Sequence, residues 1–250
     1  IPALNLATYL KCPVQYYHAH TLQLPMSGYS EDDVLKVALA EAMDVYLRTQ
    51  TDQPFPNYQT LWKGMEAVFL RFGFDAKMLS LTTYDRGMQL LEALVDGESD
   101  NLREALQVPF ALTVEETRIT GELQRIYKGG HVRQFLTTTD QLLPSVSTLT
   151  ALLHLYAAGY QQVYGSPPAS VSIEFVRAGK LQTKTLTFNK PVELTAPLVS
   201  AIAHIRANSF HPVTTPHICQ ACPFKKSCPT SLAKTSDISY KKSSWNRRQG

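Results

Sequence analysis

No stretch of the 250 residues is apolar for long enough to cross a bilayer as a helix, and nothing like a signal peptide opens the sequence. Charge of one sign is scarce too: 24 Lys and Arg against 21 Asp and Glu leave +3 at pH 7, with a pI of about 8.6. So small a bias permits nucleic-acid binding without arguing for it, and any phosphate contact has to come from a local patch. There is no internal repeat and no long low-complexity tract. Cysteine is sparse, four residues in all, which does not suit the disulfide framework of a small secreted domain. A cytoplasmic chain with no membrane contact is therefore expected. Its 44% hydrophobic content suffices for one large domain, or for one domain with a helical insertion. The first residue is Ile1, not Met, so a piece of a longer polypeptide with a partner domain out of view is expected.

What is present is a change of periodicity along the chain. Residues 5–12 read as a short helix with Asn5 as N-cap and Pro13 as stop. Apolar residues at helical spacing, with acids in the first turn, predict a helix over 31–50. Further helices are predicted over 58–72 and 77–107, so a helical insertion is placed at about 50–107. From Val108 the pattern alternates. Gly121–Tyr127 reads as a strand turning at Lys128-Gly-Gly into its antiparallel partner His131–Thr139. A helix over 146–164, a hairpin over 170–176 and 181–188, and a helix over 197–208 follow. The sum is an α/β (α+β) core over 1–231. The tail at 232–250 is polar and basic and is expected to be disordered.

The four cysteines are placed unevenly. Cys219, Cys222 and Cys228 lie within ten residues, while Cys12 stands near the other end. Four thiolates are the ligand set of a [4Fe–4S] cluster and of a structural zinc site, and Cys-x2-Cys fits both. The Cys-x5-Cys step is longer than a typical zinc knuckle, and zinc sites usually draw paired ligands from two knuckles. A guest held by all four would staple the two ends together. As a cross-link it would remove on the order of 5 kcal/mol of chain entropy from the unfolded state.

The opening Thr8-Tyr-Leu-Lys-Cys12-Pro-Val-Gln-Tyr-Tyr17, answered near the end by Cys-x2-Cys-x5-Cys-Pro, resembles the RecB/AddB-like iron–sulfur nucleases. These are a branch of the PD-(D/E)xK superfamily, with a restriction-endonuclease-like core. The resemblance spans about 4–230, most thinly over 50–107. It implies a [4Fe–4S] cluster on Cys12, Cys219, Cys222 and Cys228, with zinc as the alternative. It also implies DNA, as single strand or duplex end, as partner, and a helicase domain in the same or a partner chain.

Carried over residue by residue, the nuclease motifs depart from the family pattern. The glycine and histidine of the family's first helix fall on Lys36 and Ala40. The metal-binding Asp of Gly-x-Leu-Asp-Arg-Ile falls on Gln124 of Gly121-Glu-Leu-Gln-Arg-Ile126. The second carboxylate and the lysine of Asp-Tyr-Lys-Thr fall on Gln134 and Leu136, and the glutamine of Gln-x-x-x-Tyr on Leu152, ahead of Tyr156. Hydrolysis in this class needs Mg²⁺, a hard cation that wants anionic oxygen, and an amide is a poor substitute. An inactivated nuclease domain that binds no Mg²⁺ is the expectation, its groove less repulsive to phosphate. Arg125, Lys128, Arg133, Lys225 and Lys226 are the candidate DNA contacts. Two alternatives stay open: an active exonuclease with ligands relocated to Glu115, Glu116, Glu122 or Asp140, and a docking module without DNA affinity. His131 is expected to be exposed, His154 packed on its helix, and Tyr16, Tyr17, Tyr156, Tyr160 and Tyr164 to be core more than stacking platforms, with Tyr17 and Tyr160 candidates for a groove.

Overall fold

The computed structural model describes residues 1–24, 31–49, 58–74, 81–96, 103–136, 145–177, 180–213 and 215–231. Asp140 and the basic tail at 232–250 lie outside them.

Five strands form one sheet in the order β1-β2-β3-β4-β5: Arg103–Val114, Thr117–Tyr127, His131–Leu136, Ser170–Arg177 and Lys180–Thr187. Two-residue hairpins need positive φ at both central residues to match the strand twist. Glu115 and Glu116 (46° and 66°) supply it between β1 and β2, while the three-residue loop Lys128-Gly-Gly between β2 and β3 turns on the positive φ of Gly129 and Gly130 (81° and 76°). Only β3 and β4 run parallel. A parallel pair needs a crossover, which α6 (Val146–Tyr164) provides. Ser145 caps that helix, its Oγ accepting from Thr148 N at 3.2 Å, and Gly165 ends it in the left-handed conformation.

Strand alternation sorts the sheet between two cores. Val132 and Leu136 of β3 pack with α6, α1 (Ala3–Lys11) and α7 (Ala196–Arg206), whereas Phe135 packs with α3 (Glu31–Thr49), α4 (Tyr58–Arg71) and α5 (Leu81–Asp96). α6 comes close to the sheet because two glycines flank one ring: a Cβ on Gly121 or on Gly159 would stand 2.4 or 2.7 Å from Phe110.

Three expectations are corrected. The helical reading of 77–107 fails at its end: residues 103–107 are strand, hydrogen-bonded to β2, whereas α5 spans Leu81–Asp96 among the described residues. Leu106 packs toward the α3–α5 core and Val108 toward the α6 core, across a Gln107 with φ 49°, so the apolar spacing there reflects a kinked strand. Asn5 is not a cap: it lies inside α1, donating its N–H to Pro2 O at 3.0 Å, and Pro2 holds the N-cap position. Arg125 is the third, buried in the sheet and not on the surface. No described helix is long and apolar enough to cross a membrane.

Candidate functional site

The ends of the chain meet through aromatic side chains. Tyr9 of α1 donates to Ser209 O at 2.7 Å, Tyr16 of the short α2 (Pro13–Tyr16) stacks on Phe210 at 6.0 Å, and Tyr9 meets Tyr16 edge-on. Edge and stacked pairs of this kind add to simple burial. His18, in the single π-helical turn Tyr17–Thr21, sets its ring against Phe224 at 5.6 Å. This packing brings Cys12, in extended conformation between α1 and α2, opposite α8 (Pro216–Ala221) and the loop after it.

All four cysteines are free thiols and line one cavity, with Val14, Val213, Ile218 and Phe224 among its apolar walls. Among the described residues no Asp or Glu lines it. Three polar atoms at its lining are left unsatisfied: Gln15 Oε1, His18 Nδ1 and Ser231 Oγ are buried there without a hydrogen-bond partner. Lys11 Nζ, the residue before Cys12, is buried unpartnered as well. Burial pulls the Lys11 ammonium down to about 8, against the pull of the Cys222 and Cys12 sulfurs, which raise it. Burial in turn pushes the Cys222 thiol up, with Lys11 opposing. Among the described residues no three His, Cys, Asp or Glu side chains come close enough together to hold a metal ion. Buried polar atoms are nearly always paired in folded proteins, and three of these orphans, on Gln15, His18 and Ser231, share the cavity with the four thiols. Soft thiolates suit iron–sulfur or zinc, and the donor set fits either.

The residues expected at the nuclease-motif positions are arranged in the opposite way. The main-chain ladder between β2 and β3 pairs 125–127 with 131–133 and stops there. Beyond it the two glutamines take over. Gln124 Oε1 accepts from Phe135 N at 2.6 Å and Gln124 Nε2 donates to Phe135 O at 3.5 Å, while Gln134 Nε2 donates to Glu122 O at 3.2 Å. An amide carries donor and acceptor on one group and so mimics a peptide unit; a carboxylate could not give either N–H. Leu136 and Leu152 are both buried in the α6 core with Tyr156, whose phenol is held above its usual range by burial and then by the charge of Glu122. Lys36 and Ala40 lie on α3; Lys36 is buried, and Ala40 packs against the α3–α5 core, not the α6 core that holds Leu136 and Leu152.

Arg125 is withdrawn as a DNA contact. Its side chain is 1% exposed, and its Nη2 bonds Glu174 Oε2 at 2.7 Å. Arg133 is half-buried over the Tyr127 ring, with Nη1 3.8 Å from the same carboxylate. Lys128, Lys225 and Lys226 are exposed, and Lys225 Nζ also donates to Gln220 O at 3.2 Å. The tempting acids are occupied differently: Glu115 and Glu116 form the β1–β2 turn, where Arg206 bonds Glu115 O at 2.7 Å and Glu116 Oε2 at 2.6 Å, and Glu122 is exposed. His131 is exposed and bonds Ser170 Oγ at 2.8 Å; His154 reaches Glu193 O at 3.1 Å and packs on Phe188. Tyr16, Tyr156 and Tyr160 are buried, whereas Tyr164, stacked on Tyr160, is exposed. Sequence reasoning missed Lys11, Gln15, His18 and Ser231; proximity to the cysteine motifs was the only signal.

The chain also matches a known family. The sequence profile of the PD-(D/E)XK nuclease superfamily covers residues 3–229. The chain belongs to that superfamily. In structure it is similar to the "Putative exonuclease" from Eubacterium rectale, at 8% identity and a TM-score of 0.50, over 85% of this chain and 83% of that one. At that identity the likeness concerns the fold alone. A crystal structure of SSO0001 aligns over 93% of this chain and 87% of its own at 15% identity, with a TM-score of 0.47. No curated protein matches the chain.

Proposed function

We propose that this PD-(D/E)XK domain does not hydrolyse DNA but binds it, as single strand or duplex end, in a helicase-type repair or recombination protein, with a [4Fe–4S] cluster on Cys12, Cys219, Cys222 and Cys228 pinning its ends. The observation that carries the loss of hydrolysis is the pairing of Gln124 and Gln134 with the main chain of the neighbouring strand. Side chains at the two metal-ligand positions are spent on joining β2 to β3, and Leu136 fills the lysine position with core. The cysteines around one cavity support the clamp. The donor set, four thiols with no carboxylate among the described lining residues, is the kind that soft iron–sulfur or zinc chemistry takes. When bound, such a cluster supplies a cross-link between α1 and the loop after α8, and with it stability.

DNA affinity rests on Lys128, Lys225, Lys226 and, in part, Arg133, all reachable by solvent. The test is fluorescence anisotropy with labelled single-stranded and blunt duplex oligonucleotides at three salt concentrations, beside a cleavage assay with Mg²⁺ or Mn²⁺. Expected are intact DNA and an affinity whose log–log salt slope steepens by roughly 0.7 per phosphate contact on single strands. Cleavage abolished by Glu122→Gln would establish relocated ligands instead. No binding at low salt by folded, cluster-loaded protein would establish a docking module.

A further inference from the structure

We infer that His18 and Ser231 are hydrogen-bond donors to the metal-bound sulfur of the guest in the cysteine cavity, positioning residues that retain it without ligating it. The inference rests on the clamp reading above and deepens it with two side chains outside the ligand set. Both line the same cavity as the four cysteines. Each is more than nine-tenths buried, and His18 Nδ1 and Ser231 Oγ have no hydrogen-bond partner. Leaving a buried polar atom unpaired is costly, so two at the lining of one cavity call for a shared partner. The third unpaired atom there, Gln15 Oε1, only accepts, so sulfur cannot be its partner.

The two groups come from the two ends of the chain. His18 lies in the π-helical turn Tyr17–Thr21, and its ring meets that of Phe224, a buried wall of the cavity, edge-on at 5.6 Å. Single π turns are uncommon and often mark functional positions. Ser231 stands three residues beyond Cys228, whose carbonyl oxygen accepts its N–H at 3.4 Å. Each segment that carries cysteines thus brings one unpaired group to the cavity. An imidazole protonated at Nδ1 donates there, and a hydroxyl donates by turning its proton. The only anionic acceptors that the described lining can supply are its sulfurs, since no Asp or Glu is among them. Metal-bound thiolate and cluster sulfide both accept such bonds, and partners of this kind orient and retain what the ligands hold. Ser227 is the natural control: its hydroxyl lies in the same loop as Cys228, is outside the lining, and already donates to Phe224 O at 3.1 Å.

The experiment measures metal release to a chelator from anaerobically purified chains, with iron, sulfide and zinc first quantified in the wild type. Iron with sulfide identifies a cluster, and zinc alone a thiolate site. His18→Phe keeps a ring against Phe224 without a donor, whereas His18→Asn offers an amide N–H in place of Nδ1. Ser231→Ala and Ser231→Thr make the same contrast with a hydroxyl. Release is expected to be about 10–100-fold faster in His18→Phe than in the wild type and near the wild-type rate in His18→Asn. It is expected to be faster in Ser231→Ala than in Ser231→Thr, and unchanged in Ser227→Ala. In a cluster-loaded chain, resonance Raman bands of the iron–sulfur stretches shift on exchange into D2O, and His18→Phe is expected to reduce that shift. Equally fast release from His18→Phe and His18→Asn, which a packing role alone predicts, overturns the inference. So do wild-type rates in both His18→Phe and Ser231→Ala. Should His18→Phe fail to fold, the serine pair decides. A wild type holding neither iron nor zinc overturns the clamp reading and this inference together; a loaded wild type with indifferent variants overturns this inference alone.

Discussion

The cysteine cavity and the glutamine-stitched strands stand in contrast within one fold. Around the cavity Gln15, His18 and Ser231 keep buried polar atoms without partners. Between β2 and β3, Gln124 and Gln134 spend their amides on the main chain of Phe135 and Glu122. Unmet polarity inside a protein costs about 1–3 kcal/mol per group. A site that tolerates several such costs is built for something that repays them; a site that tolerates none is finished as it stands.

The contrast can be broken first at the clamp. Cys12→Ala and Cys222→Ala are each expected to empty the site and lower stability by on the order of 5 kcal/mol, the worth of a cross-link closing so long a loop. Parallel metal analysis and thermal denaturation check this; an unchanged melting curve for Cys12→Ala would remove Cys12 from the ligand set.

A smaller loss is expected in the sheet. Glu174→Ala strips the buried Arg125 of its carboxylate at 2.7 Å, which typically costs about 3–5 kcal/mol. Denaturant titration should show this with the metal content unchanged, since the pair lies in the sheet and not at the cavity.

Below that come the stitches. Gln124→Ala leaves Phe135 N–H without its acceptor and is expected to cost about 1–3 kcal/mol. Gln134→Glu sharpens the point through pH. A carboxyl at this buried position, 3% exposed in the native residue, has a folded pKa raised above its unfolded value of about 4.3. Its stability is then fully present below about pH 4 and is lost as pH rises through the folded value. Urea midpoints at several pH values check the sign; a pH-independent difference from the parent chain would show that Gln134 is not enclosed.

The smallest effect on folding belongs to the surface. Lys225→Glu with Lys226→Glu should move stability by no more than about 0.5 kcal/mol, yet weaken DNA binding to all sequences alike and flatten its salt dependence. Anisotropy and melting, measured on the same preparation, separate the two.

Much of this was legible in the chain. Periodicity placed α6 at 146–164, glycine pairs and alternation placed β2, β3 and the β4–β5 hairpin, and the uneven cysteines singled out the residues that line one cavity. These are local signals, set by a helix's 3.6-residue repeat, a strand's twofold repeat and the turns between them. Tertiary structure decided the rest. It turned Arg125, an ordinary cation in sequence, into the buried partner of Glu174, 49 residues away. It extended β1 back to Arg103 through a kink at Gln107 that no repeat encodes. It made two glutamines into rungs of the sheet, because only the end of the β2–β3 ladder leaves Phe135 N–H and Glu122 O to be satisfied. And it drew Gln15, His18 and Ser231 around the cysteines, since burial and the lack of a partner belong to the packed neighbourhood of an atom and are written in no stretch of sequence.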